Sequence, residues 1–251
     1  MLWQSPKNFQ ILKANQAHVW RATLIRTEKD LADLSSLLSP QEKERAAKYM
    51  VKKAADSFII SRAVLRALLA KYLQIEPRSI VFQQNKYGKL YLDSSLLQFN
   101  ISHSHGLALF IFALNAPVGI DVEFVRHDYK FTDIAKKFFS KAEVAELFSL
   151  PVSQQIQAFF NCWSRKEAFI KALGNGLFTA LDKFSVEVSA RKEGRVRLSD
   201  SGGGLDTQSW ILEALDPADG YVGAFAVGLS EYATSFYDFE MGLIMSLTPN
   251  L

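Results

Sequence analysis

The pattern of hydrophobic and polar positions predicts that strands flank one long helix in the N-terminal part of the chain. His18–Ile25 is rich in β-branched and aromatic residues, which favours a strand. Ser39–Met50 begins with a capping serine, a proline and an early acid, which is typical of a helix start. Apolar residues then recur at helical spacing over Asp56–Leu73. The residues Asn85–Gly88, between SIVFQ and KLYL, predict a hairpin turn.

The rest of the chain repeats this succession of elements. LQFNIS, LALFIFAL and VGIDVEF have the composition of buried strands. Helical patterns follow at Phe131–Phe139, at Lys141–Leu150, and at Ser153–Leu173, where Gly174 provides a stop. Four strand patterns complete the chain, at residues 184–188, 195–198, 210–215 and 221–229. We therefore expect an α+β protein of two similar halves, residues 1–116 and 117–251, with a boundary near residues 115–118.

Composition narrows the class of protein. The chain has 251 residues, 49% of them hydrophobic and 22% charged, which is enough for a substantial core. The net charge of +3 does not call for a nucleic-acid partner, but it suits an anionic small molecule or an acidic protein. Cys162 is the single cysteine and is predicted to be a small buried residue. With no secretory signal pattern and no long apolar run, we expect a cytoplasmic protein without a membrane partner.

The stretch GIDVE places two carboxylates on a strand. Asp121 and Glu123 point to the same face because side chains alternate along a strand. Two such charges repel each other unless a cation neutralises them, and Mg²⁺ prefers oxygen ligands of this kind. The alternative is an exposed edge strand whose acids are solvated. Spacing alone leaves both interpretations open.

The stretch WSRKEAFIKALGNG, from Trp163 to Gly176, adds a third carboxylate. Glu167 and Lys171 lie four residues apart, on one face of a helix. A lysine one turn from a carboxylate would repel a metal but attract a phosphate, so the pair suits a metal-bound pyrophosphate. The alternative is an ordinary i,i+4 ion pair on the surface.

The stretch FNISHSHG supplies hydrogen-bond donors directly after a strand. Asn100, Ser102 and His103 suit phosphate oxygens. The alternatives are polar residues in a tight turn, or a metal site at His103 and His105. No further histidine or cysteine pattern supports zinc.

Together these motifs resemble a known family. FNISHS, GIDVE and W-S-x-K-E-x-x-x-K before a glycine, together with YGK at Tyr87–Lys89, are similar in order and spacing to the motifs of the 4′-phosphopantetheinyl transferases. The longer, Sfp-type members are the nearer match. The resemblance implies two α+β halves packed as an intramolecular pseudo-dimer, active as a monomer, with coenzyme A in the cleft between them. It also implies transfer of the phosphopantetheinyl arm to a serine of an apo acyl or peptidyl carrier protein, with release of 3′,5′-ADP.

The resemblance also assigns roles in the reaction. Asp121, Glu123 and Glu167 match the acidic ligands of Mg²⁺, with Mn²⁺ as the other ion that such ligands accept. Glu167 matches the general base for the carrier serine. Lys171 matches a lysine that contacts the pyrophosphate, so Asp121, Glu167 and Lys171 are the predicted catalytic residues.

The remaining roles concern coenzyme A itself. Binding is expected from Lys171 and from six further residues, namely Arg45, Arg62, Lys89, Ser102, His103 and Lys166. Arg45 and Lys89 match positions at the 3′-phosphoadenosine end, and Ser102 and His103 match positions around the phosphates. The sequence departs from the family at Glu42, where some relatives carry a basic residue, and at Leu90, where proline is frequent.

Two alternative functions use the same residues. A Mg²⁺-dependent nucleotide hydrolase would use water in place of a carrier serine. A coenzyme A sensor would bind without catalysis, although the intact set Asp121, Glu123, Glu167 and Lys171 favours an enzyme. Fatty-acid, polyketide and nonribosomal peptide carriers present a similar serine, so each stays a candidate partner.

Overall fold

The computed structural model describes residues 2–6, 8–174, 180–189, 191 and 193–245. The helices in these residues are α1 (Glu28–Ser36), α2 (Pro40–Ala47), α3 (Lys52–Leu73), α4 (Thr132–Phe138), α5 (Lys141–Ser149), α6 (Val152–Leu173) and α7 (Gly242–Met245). The strands are β1 (Gln16–Thr23), β2 (Gln83–Gln84), β3 (Leu90–Tyr91), β4 (Leu97–Ser104), β5 (Leu107–Leu114), β6 (Val118–Phe124), β7 (Phe184–Val186), β8 (Gly194–Val196), β9 (Leu198–Asp200), β10 (Ile211–Leu215), β11 (Tyr221–Val227) and β12 (Ala233–Asp238). Helices and strands are thus mixed along the chain, as predicted.

Two four-stranded sheets form the centre of the molecule. Their strand orders are β12-β1-β5-β4 and β6-β11-β10-β8. One core lies between α3 and the first sheet, a second lies between α6 and the second sheet, and a third lies between the two sheets. Side chains alternate along β5, so that Phe110 enters the first core and Leu109 the third, which explains why this strand is apolar at every position.

The helix ends follow from local sequence. Ser39 and Ser140 each form a capping box with the acid three residues later, Glu42 and Glu143. The long helix α6 ends at Leu173, where Gly174 adopts a left-handed conformation with φ +73°. The predicted stop at Gly174 is therefore confirmed, whereas Asn175 and Gly176 of the motif lie outside the described residues.

The C-terminal strand crosses the predicted division at residue 116. β12 pairs in parallel with β1, from Gln16 opposite Ala233 to Arg21 opposite Asp238, so residues 233–238 complete the N-terminal sheet. Without β12, β1 would be an unprotected edge of that sheet. Arg21 Nε also binds Asp238 Oδ1 at 2.5 Å.

Several element predictions need adjustment. The hairpin strands β2 and β3 are only two residues each. The predicted strand at residues 195–198 divides between β8 and β9, which belong to different sheets. Neither α1 nor β12 was predicted. Cys162 is fully buried, as expected. Among the described residues, no helix combines the length and apolarity needed to cross a membrane.

Candidate active site

The two sheets meet along β4 and β6, where polar side chains replace the usual backbone ladder. Asn100, Ser102 and Ser104 share one face of β4 because they are two residues apart. Asn100 Oδ1 accepts a hydrogen bond from the Ile120 amide at 2.9 Å, and Ser104 Oγ accepts one from the Phe124 amide at 3.1 Å. The motif FNISHS thus holds the strand that carries the predicted metal ligands.

Asp121 lies at the centre of this junction and is only 4% exposed. Its Oδ1 accepts hydrogen bonds from Ser102 Oγ at 2.8 Å and from Lys171 Nζ at 2.6 Å. Lys171 Nζ also donates to Ser102 Oγ at 3.0 Å. The alternative of a solvated edge-strand acid is therefore wrong for Asp121.

The second oxygen of Asp121 is the atom best placed to bind a cation. Asp121 Oδ2 is buried and has no hydrogen-bond partner among the described residues. Burying a carboxylate oxygen without a donor costs free energy, and a metal ion removes that cost. The donor set around Asp121 therefore fits Mg²⁺.

Glu123 and Glu167 share the electrostatic field of Asp121. Burial and the charge of Asp121 raise the pKa of Glu123 to about 7, although Glu123 Oε2 accepts a hydrogen bond from Ser104 Oγ at 3.2 Å. Burial and Asp121 also raise the pKa of Glu167, while Lys171 opposes this shift. A cation between these groups would relieve the repulsion that raises both pKa values.

The described residues contain no cluster of three or more acidic, histidine or cysteine side chains arranged to enclose a metal ion. Instead, the ammonium group of Lys171 forms an ion pair with Asp121 Oδ1. Mg²⁺ commonly uses one or two carboxylates and completes its shell with water and substrate phosphates. The geometry thus suits a metal that arrives with a phosphate ligand.

A pocket of about 300 Å³ opens beside this cluster. It brings together cationic side chains from both halves, Arg45, Arg62 and Lys89 from one and Lys171 from the other. The rest of its lining is Gln84, Tyr87, Gly88, Leu90, Asn100, Ile101, Ile170 and Gly174. Such a lining favours an anionic ligand.

The arginines of the pocket are held by aromatic rings and by Glu42. The guanidinium of Arg45 lies 5.1 Å from the centre of the Phe58 ring, and that of Arg62 lies 5.6 Å from it. Glu42 Oε1 is 3.4 Å from Arg62 Nε, and Glu42 Oε2 is 2.6 Å from Arg66 Nε. Glu42, where some relatives carry a basic residue, therefore holds the guanidinium groups of Arg62 and Arg66 in place.

His103 lies close to the cluster, on the opposite face of β4 from Ser102. Burial and the charge of Lys171 lower the pKa of His103, although part of the side chain remains exposed. His105 stacks on Phe124 with ring centres 4.3 Å apart. A neutral His103 can donate one hydrogen bond to a phosphate oxygen.

Two of the lysines predicted to bind coenzyme A have other partners. Lys166 is fully buried, with Nζ 2.8 Å from Glu143 Oε1, and it donates to the carbonyls of Leu181 and Phe184 at 2.8 and 2.7 Å. This corrects the prediction that Lys166 binds coenzyme A. Lys89 Nζ is likewise directed at backbone carbonyls, and burial lowers its pKa to about 8.

The glycine of GIDVE has a role that the sequence did not reveal. A Cβ on Gly119 would collide with the Ala168 carbonyl oxygen and the Ala172 amide of α6. Because glycine has no Cβ, β6 and α6 can pack closely enough for Asp121 and Lys171 to form their ion pair. Ser104 was also missed, although polar residues at every second position of FNISHS were a usable signal.

Comparison with known proteins agrees with this geometry. A family model described as 4′-phosphopantetheinyl transferase, N-terminal, matches residues 20–113, and one described as 4′-phosphopantetheinyl transferase superfamily matches residues 117–226.

Three relatives illustrate the similarity. The chain is 32% identical over 239 residues to 4′-phosphopantetheinyl transferase HetI of Nostoc sp., covering 93% of this chain and 96% of the relative. It is 33% identical over 167 residues to 4′-phosphopantetheinyl transferase Sfp of Bacillus subtilis, covering 66% and 73%. It is 30% identical over 203 residues to a putative 4′-phosphopantetheinyl transferase of Synechocystis sp., covering 79% of each. The chain therefore belongs to the 4′-phosphopantetheinyl transferase superfamily, among its longer, Sfp-type members.

Proposed function

We propose that this protein is a 4′-phosphopantetheinyl transferase that modifies a serine of an apo acyl or peptidyl carrier protein. Coenzyme A is the donor substrate, and 3′,5′-ADP is the leaving product. The observation that carries the proposal is the pocket that brings cations of both halves beside the ion pair Asp121–Lys171. The names of the relatives support the same reaction.

The two halves act as one catalytic unit in this proposal. The third core between the sheets supports an intramolecular pseudo-dimer, with the active site in the cleft at β4 and β6. A monomer then contains a complete site. The buried free thiol of Cys162 suits the reducing cytoplasm, where we place the enzyme.

The cationic lining binds the anionic parts of coenzyme A. Lys171 contacts the pyrophosphate, since its side chain is 28% exposed and lines the pocket. His103 donates to a phosphate oxygen, whereas Ser102, the other residue assigned to the phosphates, directs its hydroxyl proton at Asp121 Oδ1 and holds Lys171 beside them. Arg45 and Arg62 bind the 3′-phosphoadenosine end. Charge-assisted hydrogen bonds of this kind orient the substrate as well as hold it.

Asp121, Glu123 and Glu167 would hold the metal ion, with Mg²⁺ the expected ion and Mn²⁺ the alternative. The unpartnered Asp121 Oδ2 and the raised pKa values of both glutamates support this assignment. When bound, the ion neutralises charge on the pyrophosphate and on the departing phosphate.

Glu167 serves as the general base, directly or through one water molecule. The serine hydroxyl of the carrier attacks the phosphorus that bears the pantetheine arm, and Glu167 takes the hydroxyl proton. The bond from that phosphorus to the bridging oxygen breaks, so 3′,5′-ADP leaves with the electron pair.

Chromatography of the nucleotide product tests this proposal. The protein is incubated with coenzyme A and Mg²⁺, with an apo carrier, with its Ser→Ala variant, or with no acceptor. We expect 3′,5′-ADP only with the apo carrier. Nucleotide release without an acceptor would identify a hydrolase instead, and binding of coenzyme A without release in any arm would favour a sensor.

A further inference from the structure

The C-terminal end of α6 is capped by a side chain from the other half of the molecule. The last carbonyls of a helix have no partner within the helix itself. Lys89 Nζ donates to the carbonyl of Lys171 at 2.6 Å and to that of Ala172 at 3.3 Å. A positive charge at this end also interacts favourably with the helix dipole. The helix that presents Lys171 to the pocket is thus fastened at its end.

The turn that carries Lys89 is preorganised for this contact. Asn85 Oδ1 accepts hydrogen bonds from the amides of Tyr87 and Lys89 at 2.9 and 3.0 Å, and Gly88 has φ +88°. Asn85 Nδ2 then donates to the Gly174 carbonyl at 2.8 Å. Two side chains of one turn therefore hold the end of α6 at separate points.

The same ammonium group also reaches β6. Lys89 Nζ donates to the Val118 carbonyl at 2.9 Å, at the first residue of the strand that carries Asp121. An ammonium group has three protons, and three carbonyl oxygens lie within hydrogen-bond distance of this one. Lys89 therefore joins the start of the Asp121 strand to the end of the Lys171 helix.

We propose that Lys89 and Asn85 form a positioning clamp that keeps Lys171 aligned with Asp121, and that Lys89 is not a ligand of the 3′-phosphoadenosine end. This inference rests on the proposed function. The clamp acts through α6 and β6, so its loss lowers the rate of transfer. Arg45 and Arg62, which bind the 3′-phosphoadenosine end, are left unchanged. A misplacement of about 1 Å at a reacting group can reduce the rate about 100-fold.

Three variants test the clamp. Lys89→Met keeps the aliphatic stem and removes the donors, and Asn85→Ala removes the second point of attachment. Lys86→Met is the matched control, because Lys86 is exposed in the same turn and lies 4.8 Å from the centre of the Tyr87 ring. Each variant is measured for 3′,5′-ADP affinity by calorimetry, for kcat and KM with coenzyme A, and for hydrogen exchange of the amides at residues 170–174.

For Lys89→Met, we expect kcat to fall about 10- to 100-fold. Its 3′,5′-ADP affinity should stay within about twofold of wild type, and exchange at residues 170–174 should become faster. Asn85→Ala should change the same quantities less, and combining the two variants should give a less than additive loss of kcat, because both hold one helix end. The control variant should match wild type in all three measurements.

The opposite pattern would overturn the proposal. A loss of 3′,5′-ADP affinity of about tenfold or more with unchanged kcat would make Lys89 a ligand of coenzyme A. If Lys89→Met does not fold, Asn85→Ala decides, and wild-type exchange at residues 170–174 in that variant would reject the clamp. Exchange and affinity need no turnover, so a wild-type protein that transfers nothing would reject the proposed function without affecting this test.

Discussion

Replacing Lys171 by methionine should destabilise the protein more than replacing its partner Asp121 by asparagine. The Asp121 side chain is 5% exposed, whereas that of Lys171 is 28% exposed. Lys171→Met leaves a buried carboxylate with Ser102 as its remaining hydrogen-bond donor among the described residues. Asp121→Asn leaves an ammonium group that can turn towards water.

The expected magnitude follows from this asymmetry. Removing one partner of a fully buried ion pair costs about 3–5 kcal/mol. The partial exposure of Lys171 screens the pair, so we expect Lys171→Met to lower the free energy of unfolding by about 2–3 kcal/mol. Asp121→Asn should cost less than about 1 kcal/mol, because it also relieves the repulsion felt by Glu123 and Glu167.

Urea unfolding followed by circular dichroism measures both changes, first with EDTA and then with Mg²⁺. The added cation should restore part of the stability lost in Lys171→Met, since it can take the place of the ammonium group beside Asp121. Lys136→Met, at an exposed lysine of α4, is the control and should stay within about 0.5 kcal/mol of wild type. A Lys171→Met protein as stable as the control, or less affected than Asp121→Asn, would show that the buried Asp121 carboxylate does not depend on Lys171 for its stability.

Three further predictions concern the residues around the site. Gly119→Ala should cost about 3 kcal/mol or more in urea unfolding and abolish transfer, because its methyl group would collide with the Ala168 carbonyl oxygen; near wild-type stability would contradict the close packing of β6 on α6. Lys166→Met should lower the free energy of unfolding by about 3–5 kcal/mol, because it removes the ion-pair partner of Glu143. The fraction of this variant that folds should keep the wild-type KM for coenzyme A. A raised KM would indicate that Lys166 contacts coenzyme A after all. Without metal, folded Glu123 holds its proton up to about pH 7, whereas the unfolded chain loses it near pH 4.5. The free energy of unfolding should therefore fall by about 1–3 kcal/mol as the pH rises across this interval. If Glu123→Gln shows the same dependence of unfolding free energy on pH as wild type, Glu123 is not its cause.

The sequence predicted those parts of the fold that depend on local pattern. The apolar run of β5, the capping box at Ser140 and the glycine stop after α6 each follow from neighbouring residues. The strand β12 could not be predicted in this way, because its place beside β1 depends on residues more than 200 positions earlier in the chain. The sequence shows that polar residues alternate along FNISHS, but it does not show that their partner is β6.

The same limit applies to the site. The charges of Asp121, Glu123, Glu167 and Lys171 were readable because their spacing puts each pair on one face of an element. Lys166 is adjacent to Glu167 in sequence and is also charged, yet it pairs with Glu143 in the core. Side-chain direction is decided by such long-range partners, which a one-dimensional pattern does not contain.

The most direct test of the proposed reaction is intact-protein mass spectrometry of apo carriers after incubation with the enzyme, coenzyme A and Mg²⁺. We predict a gain of one phosphopantetheinyl group on at least one wild-type carrier. That gain should be absent on its Ser→Ala variant, lost with EDTA, and lost with folded Asp121→Ala enzyme. An undiminished gain with Asp121→Ala would contradict the assigned metal and phosphate site. No gain on fatty-acid, polyketide or nonribosomal peptide carriers, from an enzyme that binds coenzyme A, would contradict the proposed transfer.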